Sequence, residues 1–227
     1  MNQKESFLLP GAILVAGALL ALTVFVVRSG DPVTPLDSVA AIRPVTPDDH
    51  IVGSPDAPII IVEYSDVDCA YCKDFQATLS QLMSEYAETG RVAWVYRHFP
   101  VINLHENAAL HAEAAECVAE QGDDTLFFRF IDTLQQTTPG NDEFDPGGYP
   151  GVIESLGLSY EAFESCMTSD RNVERVTLDF ENAVAAGGEG TPYTVVLVAG
   201  QTPIPITGAL PYEAMKEIID QALTKVP

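Results

Sequence analysis

The sequence is poor in basic residues. Of 227 residues, 11 are Lys or Arg and 33 are Asp or Glu, which gives a formal net charge of −22. Nucleic-acid binding requires a basic surface that neutralises phosphates, so we predict no nucleic-acid partner. Anionic lipid headgroups are disfavoured as a docking surface for the same reason. No nucleotide or flavin motif occurs, and the pair Gly147-Gly148 lacks the Lys and Ser/Thr of a phosphate loop, so we predict no cofactor.

Cysteine is also scarce. The chain has four cysteines, at positions Cys69, Cys72, Cys117 and Cys166. An even number that includes one Cys-x-x-Cys pair is typical of an oxidising compartment.

One long apolar segment stands out near the N-terminus. Residues 7–27, Phe7 to Val27, contain no charged side chain. As a helix they would span roughly 30 Å, the thickness of a bilayer core. We therefore predict a short N-terminal tail at residues 1–6 and a transmembrane anchor at residues 7–27. A cleaved signal peptide is the alternative.

The segment that follows is rich in proline and has no apolar periodicity. Its prolines include Pro32, Pro35, Pro44, Pro47 and Pro55. Such a composition predicts a semi-extended linker, so we interpret residues 28–57 as a tether and residues 58–227 as the globular domain.

The globular part alternates between strand and helix patterns. Ile59–Val62 is a β-branched run that predicts a buried strand, and Val92–Phe99, which Pro100 ends, predicts a second strand. Between them, apolar residues at helical spacing (Phe75, Leu79, Leu82, Met83 and Tyr86) predict a helix that Gly90 ends. This order predicts a parallel strand pair with a crossover helix. A helical block of about 104–188 follows, and the Gly- and Pro-rich stretch from Thr138 to Gly151 interrupts its helical pattern. Two further strands at Thr194–Val198 and Ile204–Thr207 and a final amphipathic helix complete an α/β pattern.

The pair Cys69 and Cys72 occupies the boundary between the first strand and its helix. Unpaired N–H groups at a helix start stabilise a thiolate, and a Cys-x-x-Cys context lowers the pKa of the first cysteine. The thiolate attacks disulfides, and the second cysteine resolves the mixed disulfide. The pattern favours a redox pair over half of a zinc site or a structural bridge. Zinc needs two further ligands, and the isolated Cys117 and Cys166 and the four histidines form no second close pair, so we predict no metal.

The segment from Val62 to Cys72, Val-Glu-Tyr-Ser-Asp-Val-Asp-Cys-Ala-Tyr-Cys, resembles the active-site strand and turn of the DsbA family. The resemblance extends from about His50 to the C-terminus. It includes Arg97-His98-Phe99-Pro100, Ala114-Ala115-Glu116-Cys117 and Gly190-Thr191-Pro192. It implies a thioredoxin-like fold with an inserted helical block and a thiol:disulfide oxidoreductase activity.

The resemblance also implies supporting residues around the cysteine pair. Pro192 would be a cis proline that faces Cys69 and keeps other ligands away from it, and Thr191 would offer backbone groups to an extended substrate. Glu63 would be a buried acid that exchanges the proton of the second thiol. An ordinary trans Pro192 and an edge-exposed or cap-paired Glu63 are the alternatives.

The chain departs from DsbA between the two cysteines. DsbA has Pro-His there, and the His helps to stabilise the thiolate, whereas this chain has Ala70-Tyr71. Asp66, Asp68 and Asp74 add negative charge to the same turn, which disfavours a thiolate, and Lys73 opposes them only in part. We therefore expect a weaker oxidant than DsbA. Tyr71 could support the site or simply pack beside it.

Cys117 and Cys166 both fall on helices of the inserted block. We interpret them as a structural disulfide that stabilises this block. Two buried free thiols are the alternative.

These features predict a single-pass membrane protein with its catalytic domain on the extracytoplasmic side. Lys4 and Arg28 flank the anchor and leave its orientation weakly determined, so this side follows from the thiol chemistry. The expected activity introduces disulfides into exported proteins with free thiols, and a membrane partner reoxidises the pair. A disulfide reductase or isomerase and a thioredoxin-like binding or chaperone module are the alternatives.

Overall fold

The computed structural model of the chain describes residues 41–137 and 144–226. The predicted tail, the predicted anchor at 7–27 and the first part of the predicted tether lie outside these residues. Within the two described ranges, no helix combines the length and the apolar character that crossing a bilayer requires.

The centre of the domain is a five-stranded mixed sheet. Its strands are β1 (His50–Val52), β2 (Ile59–Ser65), β3 (Val92–His98), β4 (Tyr193–Val198) and β5 (Ile204–Thr207), in the order β1-β3-β2-β4-β5. β2 and β3 are parallel, and every other neighbouring pair is antiparallel. The parallel pair with its crossover helix is confirmed, and β2 holds the central position.

Seven α-helices surround the sheet in the described part of the chain. They are α1 (Ala70–Tyr86), α2 (Ala108–Ala119), α3 (Asp124–Thr137), α4 (Tyr149–Ser155), α5 (Tyr160–Met167), α6 (Val173–Ala185) and α7 (Tyr212–Leu223). Helices α2 to α6 all lie between β3 and β4, which confirms the inserted helical block.

The first helix follows its sequence pattern closely. The five apolar positions that predicted α1 are buried on one face. A short 3-10 turn over Ala87–Thr89 continues the helix, and Gly90 closes it with a φ of +67°. A positive φ is strained for residues with a Cβ, so glycine suits this stop.

Both faces of the sheet are covered. Alternate residues of a strand point to opposite faces, and β2 follows this rule. Ile61 packs with Phe75, Leu79 and Trp94 in the larger core. Val62 belongs to a second cluster on Val95, Val195 and residues of α6. Because β2 lies at the centre, even a polar residue such as Glu63 is enclosed there.

The tether prediction is wrong for residues 41–57. His50 pairs with Tyr96, so β1 is an edge strand of the sheet. The segment before it accepts hydrogen bonds from the fully buried Arg97, through the backbone oxygens of Arg43 and Pro44 and the carboxylate of Asp49. A buried guanidinium requires acceptors, and this segment supplies them, so it belongs to the domain.

The sequence also misses α4. Its first residues, Tyr149, Pro150 and Gly151, fall in the stretch that was predicted to interrupt the helical pattern. Proline is tolerated in the first turn of a helix because the N–H that it lacks has no helical partner there. A proline in this position therefore marks the start of a helix, not a break.

Candidate active site

The two thiols lie where β2 gives way to α1. Cys69 is the N-cap residue of α1 and has an extended backbone, and its carbonyl accepts a hydrogen bond from the Lys73 amide at 3.1 Å. Cys72 lies in the first turn and is fully buried, whereas Cys69 retains a small exposed fraction. Both are free thiols in this structure. The first cysteine is thus the one that another molecule can reach.

The surroundings of the two thiols shift their pKa values in opposite directions. A hydrogen bond from the Cys72 thiol lowers the pKa of Cys69 to about 6, and the Thr191 side chain and the backbone amides of Cys72 and Tyr71 act in the same direction against burial. Burial raises the pKa of Cys72 well above its ordinary value, and the Cys69 charge adds to the effect. Near neutral pH the pair therefore holds one thiolate, on Cys69, and one thiol, on Cys72.

The loop before β4 closes the site from the other side. The Thr191–Pro192 peptide bond is cis, and Pro192 is buried. The Cys69 Sγ lies 3.6 Å from the backbone oxygen of Thr191. This geometry excludes the ordinary trans proline, and it puts Thr191 beside the reactive sulfur.

Glu63 is fully buried on β2, not exposed at an edge. Its carboxylate accepts hydrogen bonds from Ser65 Oγ at 2.8 Å and from Trp94 Nε1 at 3.0 Å. Burial raises the pKa of Glu63 to about 7, although both hydrogen bonds oppose this shift. Its charge in turn contributes to the raised pKa of Cys72. Glu63 can hold or release a proton near neutral pH next to the second thiol.

Tyr71 does not pack beside the site as a core residue. Its side chain is 66% exposed, and it lines a cavity of about 450 Å³ that also contains Cys69. The other lining residues are Val101, Leu104, His105, Glu189, Gly190 and Thr191. Tyr71 and Leu104, which is 76% exposed, give this cavity an apolar rim.

The aspartates of the turn are more engaged than the sequence suggested. Asp66 is buried and accepts hydrogen bonds from the Asp68 and Val101 amides and from His105 Nδ1, at 2.9, 2.7 and 2.9 Å respectively. Asp68 Oδ1 lies 3.6 Å from His111 Nε2. His105 also lines the cavity that contains Cys69. Sequence spacing gave no signal for the contact between His105 and Asp66, because 39 positions separate the two residues.

Cys117 and Cys166 form a disulfide in this structure, between α2 and α5. The side-chain amide of Asn172 donates a hydrogen bond to Cys166 Sγ at 3.3 Å. Neither cysteine lines the cavity at Cys69. The bridge thus belongs to the helical block.

Across residues 41–137 and 144–226, no group of three or more His, Cys, Asp and Glu side chains is arranged to hold a metal ion.

A family comparison agrees with this fold and site. The family described as Thioredoxin matches residues 45–221. The chain belongs to the thioredoxin family. Its structure is similar to that of a crystallised DsbA protein, so within the family the chain is DsbA-like.

Two solved structures illustrate the similarity. DsbA2 of Pseudomonas aeruginosa is 25% identical, with a TM-score of 0.66, over 78% of this chain and 96% of that one. Oxidised BdbD of Bacillus subtilis is 22% identical, with a TM-score of 0.68, over 81% of this chain and 97% of that one. Because its identity is only 22%, the match to BdbD supports the fold and nothing further.

Curated relatives match by sequence over part of their length. The Na(+)/H(+) antiporter NhaA 3 of Salinispora tropica is 34% identical over 150 residues, which are 66% of this chain and 22% of that protein. The Na(+)/H(+) antiporter NhaA 1 of Mycolicibacterium gilvum is 28% identical over 186 residues, which are 79% of this chain and 29% of that protein. The chain thus spans less than a third of the length of these relatives.

Proposed function

We propose that this chain is a membrane-anchored, extracytoplasmic oxidase that introduces disulfides into exported proteins through Cys69 and Cys72. The proposal is carried by the opposite pKa shifts of the two thiols. The pKa is lowered for Cys69, which another molecule can reach, and raised for the buried Cys72. A membrane partner would reoxidise the pair after each cycle.

The oxidative cycle balances with these two sulfurs. A substrate thiolate attacks Cys69 Sγ of the Cys69–Cys72 disulfide, and Cys72 leaves and takes up a proton. A second substrate thiolate then attacks the substrate sulfur of the mixed disulfide, and Cys69 leaves as a thiolate. The substrate loses two electrons and the pair gains them. A thiol of low pKa is a good leaving group, so the lowered pKa of Cys69 favours the second step, in which Cys69 is released.

The size of the pKa shift supports an oxidant of intermediate strength. The pKa of the reactive cysteine is about 7 in thioredoxin and about 3.5 in DsbA. Cys69, at about 6, lies between them. A stabilised thiolate favours the reduced pair and makes the disulfide more oxidising, so the pair should be a weaker oxidant than DsbA and a stronger one than thioredoxin.

The surface beside Cys69 fits a polypeptide substrate. A second cavity of about 310 Å³ shares Val101, Glu189 and Gly190 with the first one and is lined by Phe99, Phe180 and Val184 among others. Ile102, at its edge, is 61% exposed. Exposed apolar side chains around a reactive group favour unfolded chains, whose own apolar residues are accessible.

The membrane setting rests on the apolar segment at residues 7–27. Its length fits a bilayer core. The relatives named as antiporters would exchange ions across a membrane, which is consistent with this setting.

Thiol exchange can be tested with the full-length chain in detergent. The oxidised protein should oxidise a reduced, unfolded model protein, and Cys69→Ser should abolish the reaction. Cys72→Ser, the matched variant, cannot form the Cys69–Cys72 disulfide and should also fail to oxidise the reduced protein. When a model protein is offered in its disulfide form instead, the Cys69 thiolate of this variant should form a lasting mixed disulfide, because the Cys72 thiol that would release it is missing. Activity that survives in Cys69→Ser would point to the binding or chaperone module instead.

The direction of electron flow follows from the reduction potential in a glutathione buffer. We expect a value well above the roughly −270 mV of thioredoxin. A value at or below that of thioredoxin would support a reductase and contradict an oxidase.

Location can be tested on membranes from cells that express the full-length chain. We expect the protein to resist carbonate extraction and its domain to be accessible to protease from the extracytoplasmic side. A soluble exported form that lacks the first residues would indicate a cleaved signal peptide instead of an anchor.

A further inference from the structure

We propose that His105, held by Asp66, is a positioning residue that presents a cation to Cys69 and thereby stabilises the Cys69 thiolate from outside the Cys-x-x-Cys turn. The inference deepens the proposed function and rests on Cys69 as the reacting thiol. In DsbA a histidine inside the turn has this task, whereas here Ala70 and Tyr71 occupy those two positions.

The geometry sets His105 beside Cys69 in space although the two are far apart in the chain. Both side chains line the cavity of about 450 Å³. His105 is the single basic residue among the described residues that line it. It reaches this place because the chain turns after β3, where the His105 amide donates to the Val101 carbonyl at 3.0 Å.

Asp66 fixes the imidazole. Nδ1 of His105 lies 2.9 Å from Asp66 Oδ2, and the Val101 amide donates to the same oxygen at 2.7 Å. Asp66 Oδ1 accepts the Asp68 amide, so both oxygens of this buried carboxylate are engaged. The carboxylate therefore orients the ring and favours its protonated form, in which both nitrogens carry hydrogen.

The groups around Cys69 and His105 are mostly acidic. Asp66 and Asp68 face them from the turn after β2, Glu63 from β2 itself, Tyr71 and Cys72 from α1, and Glu189 from the loop before β4. A protonated His105 offsets this negative charge next to the thiolate. A neutral His105 would leave the thiolate among carboxylates, which disfavour it.

The titration of His105 is consistent with this arrangement. The hydrogen bond to Asp66 raises the pKa of His105 above its ordinary value against partial burial, and the charges of Asp66, Cys69 and Asp68 raise it further. Interaction between two titrating groups is reciprocal, so a thiolate that raises the pKa of His105 has its own pKa lowered by the imidazolium. The cation is present below the raised pKa of His105 and is lost as the pH rises through it.

The first test needs no substitution. The His105 imidazole is titrated by NMR in the full-length chain, once with Cys69 and Cys72 reduced and once with the pair oxidised. The His105 pKa should be higher in the reduced protein, where Cys69 is a thiolate, while that of His50, a buried histidine paired with Glu116 and Asp124, should be equal in both states. Equal His105 values in the two redox states overturn the proposal.

The second test uses three variants and follows the Cys69 thiolate by its ultraviolet absorbance against pH. His105→Gln removes the charge and keeps a hydrogen-bonding side chain, so the Cys69 pKa should rise by about one unit, which lowers the thiolate fraction near pH 6 about fivefold. His105→Lys keeps a cation and should restore much of the low pKa. His50→Gln, the matched control, should leave the Cys69 titration unchanged.

A purely structural role for His105 predicts that the two substitutions have similar effects. Lys would then disturb the loop as much as Gln, and the Cys69 pKa would not follow the charge. If wild-type Cys69 titrates with an ordinary pKa, the proposed function itself loses its support. If Cys69 titrates low and His105→Gln does not move it, only the role of His105 is refuted.

Discussion

At the scale of the residue, Glu63 shows how a central strand changes the chemistry of one side chain. Burial raises the pKa of Glu63 to about 7 from an ordinary value of 4.5. Between these values the folded protein binds a proton that the unfolded chain has released. Stability therefore falls as the pH rises through this window, and the loss amounts to about 3 kcal/mol once Glu63 is charged.

Glu63→Gln removes this charge and should change the pH dependence of stability. We expect the free energy of unfolding of the variant, relative to the wild type, to rise by about 3 kcal/mol between about pH 4 and pH 8. Urea unfolding of the reduced full-length proteins at several pH values measures it. Glu181→Gln, at an exposed position of α6, is the control and should show no such trend. A constant difference between the variant and the wild type at all pH values would contradict the raised pKa.

At the scale of the element, β1 and the segment before it depend on Arg97. The guanidinium is buried and makes a two-point contact with Asp49, at 2.7 Å through Nε and 3.1 Å through Nη2. It also donates to the Arg43 and Pro44 carbonyls and to Asn182 Oδ1 of α6. One side chain of β3 thus joins residues 43–49 to α6.

Arg97→Met should destabilise the domain by about 3–5 kcal/mol, because it leaves the buried Asp49 without its main counterion. Adding Asp49→Asn should recover part of the loss, since no uncompensated charge remains. Arg129→Gln, on an exposed position of α3, should change stability by less than about 0.5 kcal/mol. Urea unfolding measures all three. A loss for Arg97→Met no larger than for Arg129→Gln would show that residues 41–49 do not need this contact.

At the scale of the whole domain, the disulfide constrains the helical block. Cys117 and Cys166 are 49 positions apart and connect α2 with α5. The bridge closes a loop that also contains α3 and α4. It limits the unfolded chain without contacting the cavity at Cys69.

The double variant Cys117→Ala/Cys166→Ala should lower the free energy of unfolding by about 4 kcal/mol on the chain-entropy model for a loop of this length. The thiolate titration of Cys69 should remain unchanged, because the bridge lies outside the site. As a check on the wild type, alkylation in denaturant without reductant should leave Cys117 and Cys166 unmodified. Modification of all four cysteines under those conditions would contradict the bridge.

Much of this molecule follows from short-range patterns in the sequence. The strand, Cys-x-x-Cys and helix from Ile59 to Tyr86 are contiguous, so their spacing alone predicts a thiol beside the start of a helix. The separated motifs of the DsbA family predict the helical block between β3 and β4, and the comparisons confirm that class. β1 escaped prediction because proline content reveals the absence of a helix and says nothing about an edge strand that a buried arginine holds in place.

The sequence by itself determined the reactive pair and the class of fold, because the pair and each motif that identifies the class consist of residues that are close neighbours along the chain. The tertiary structure decided how acidic the first thiol is and what surrounds it. Glu63 is enclosed because β2 became the central strand, and His105 faces Cys69 because the chain turns after β3 and Asp66 binds its ring. Such contacts join residues tens of positions apart, and packing, not spacing, creates them.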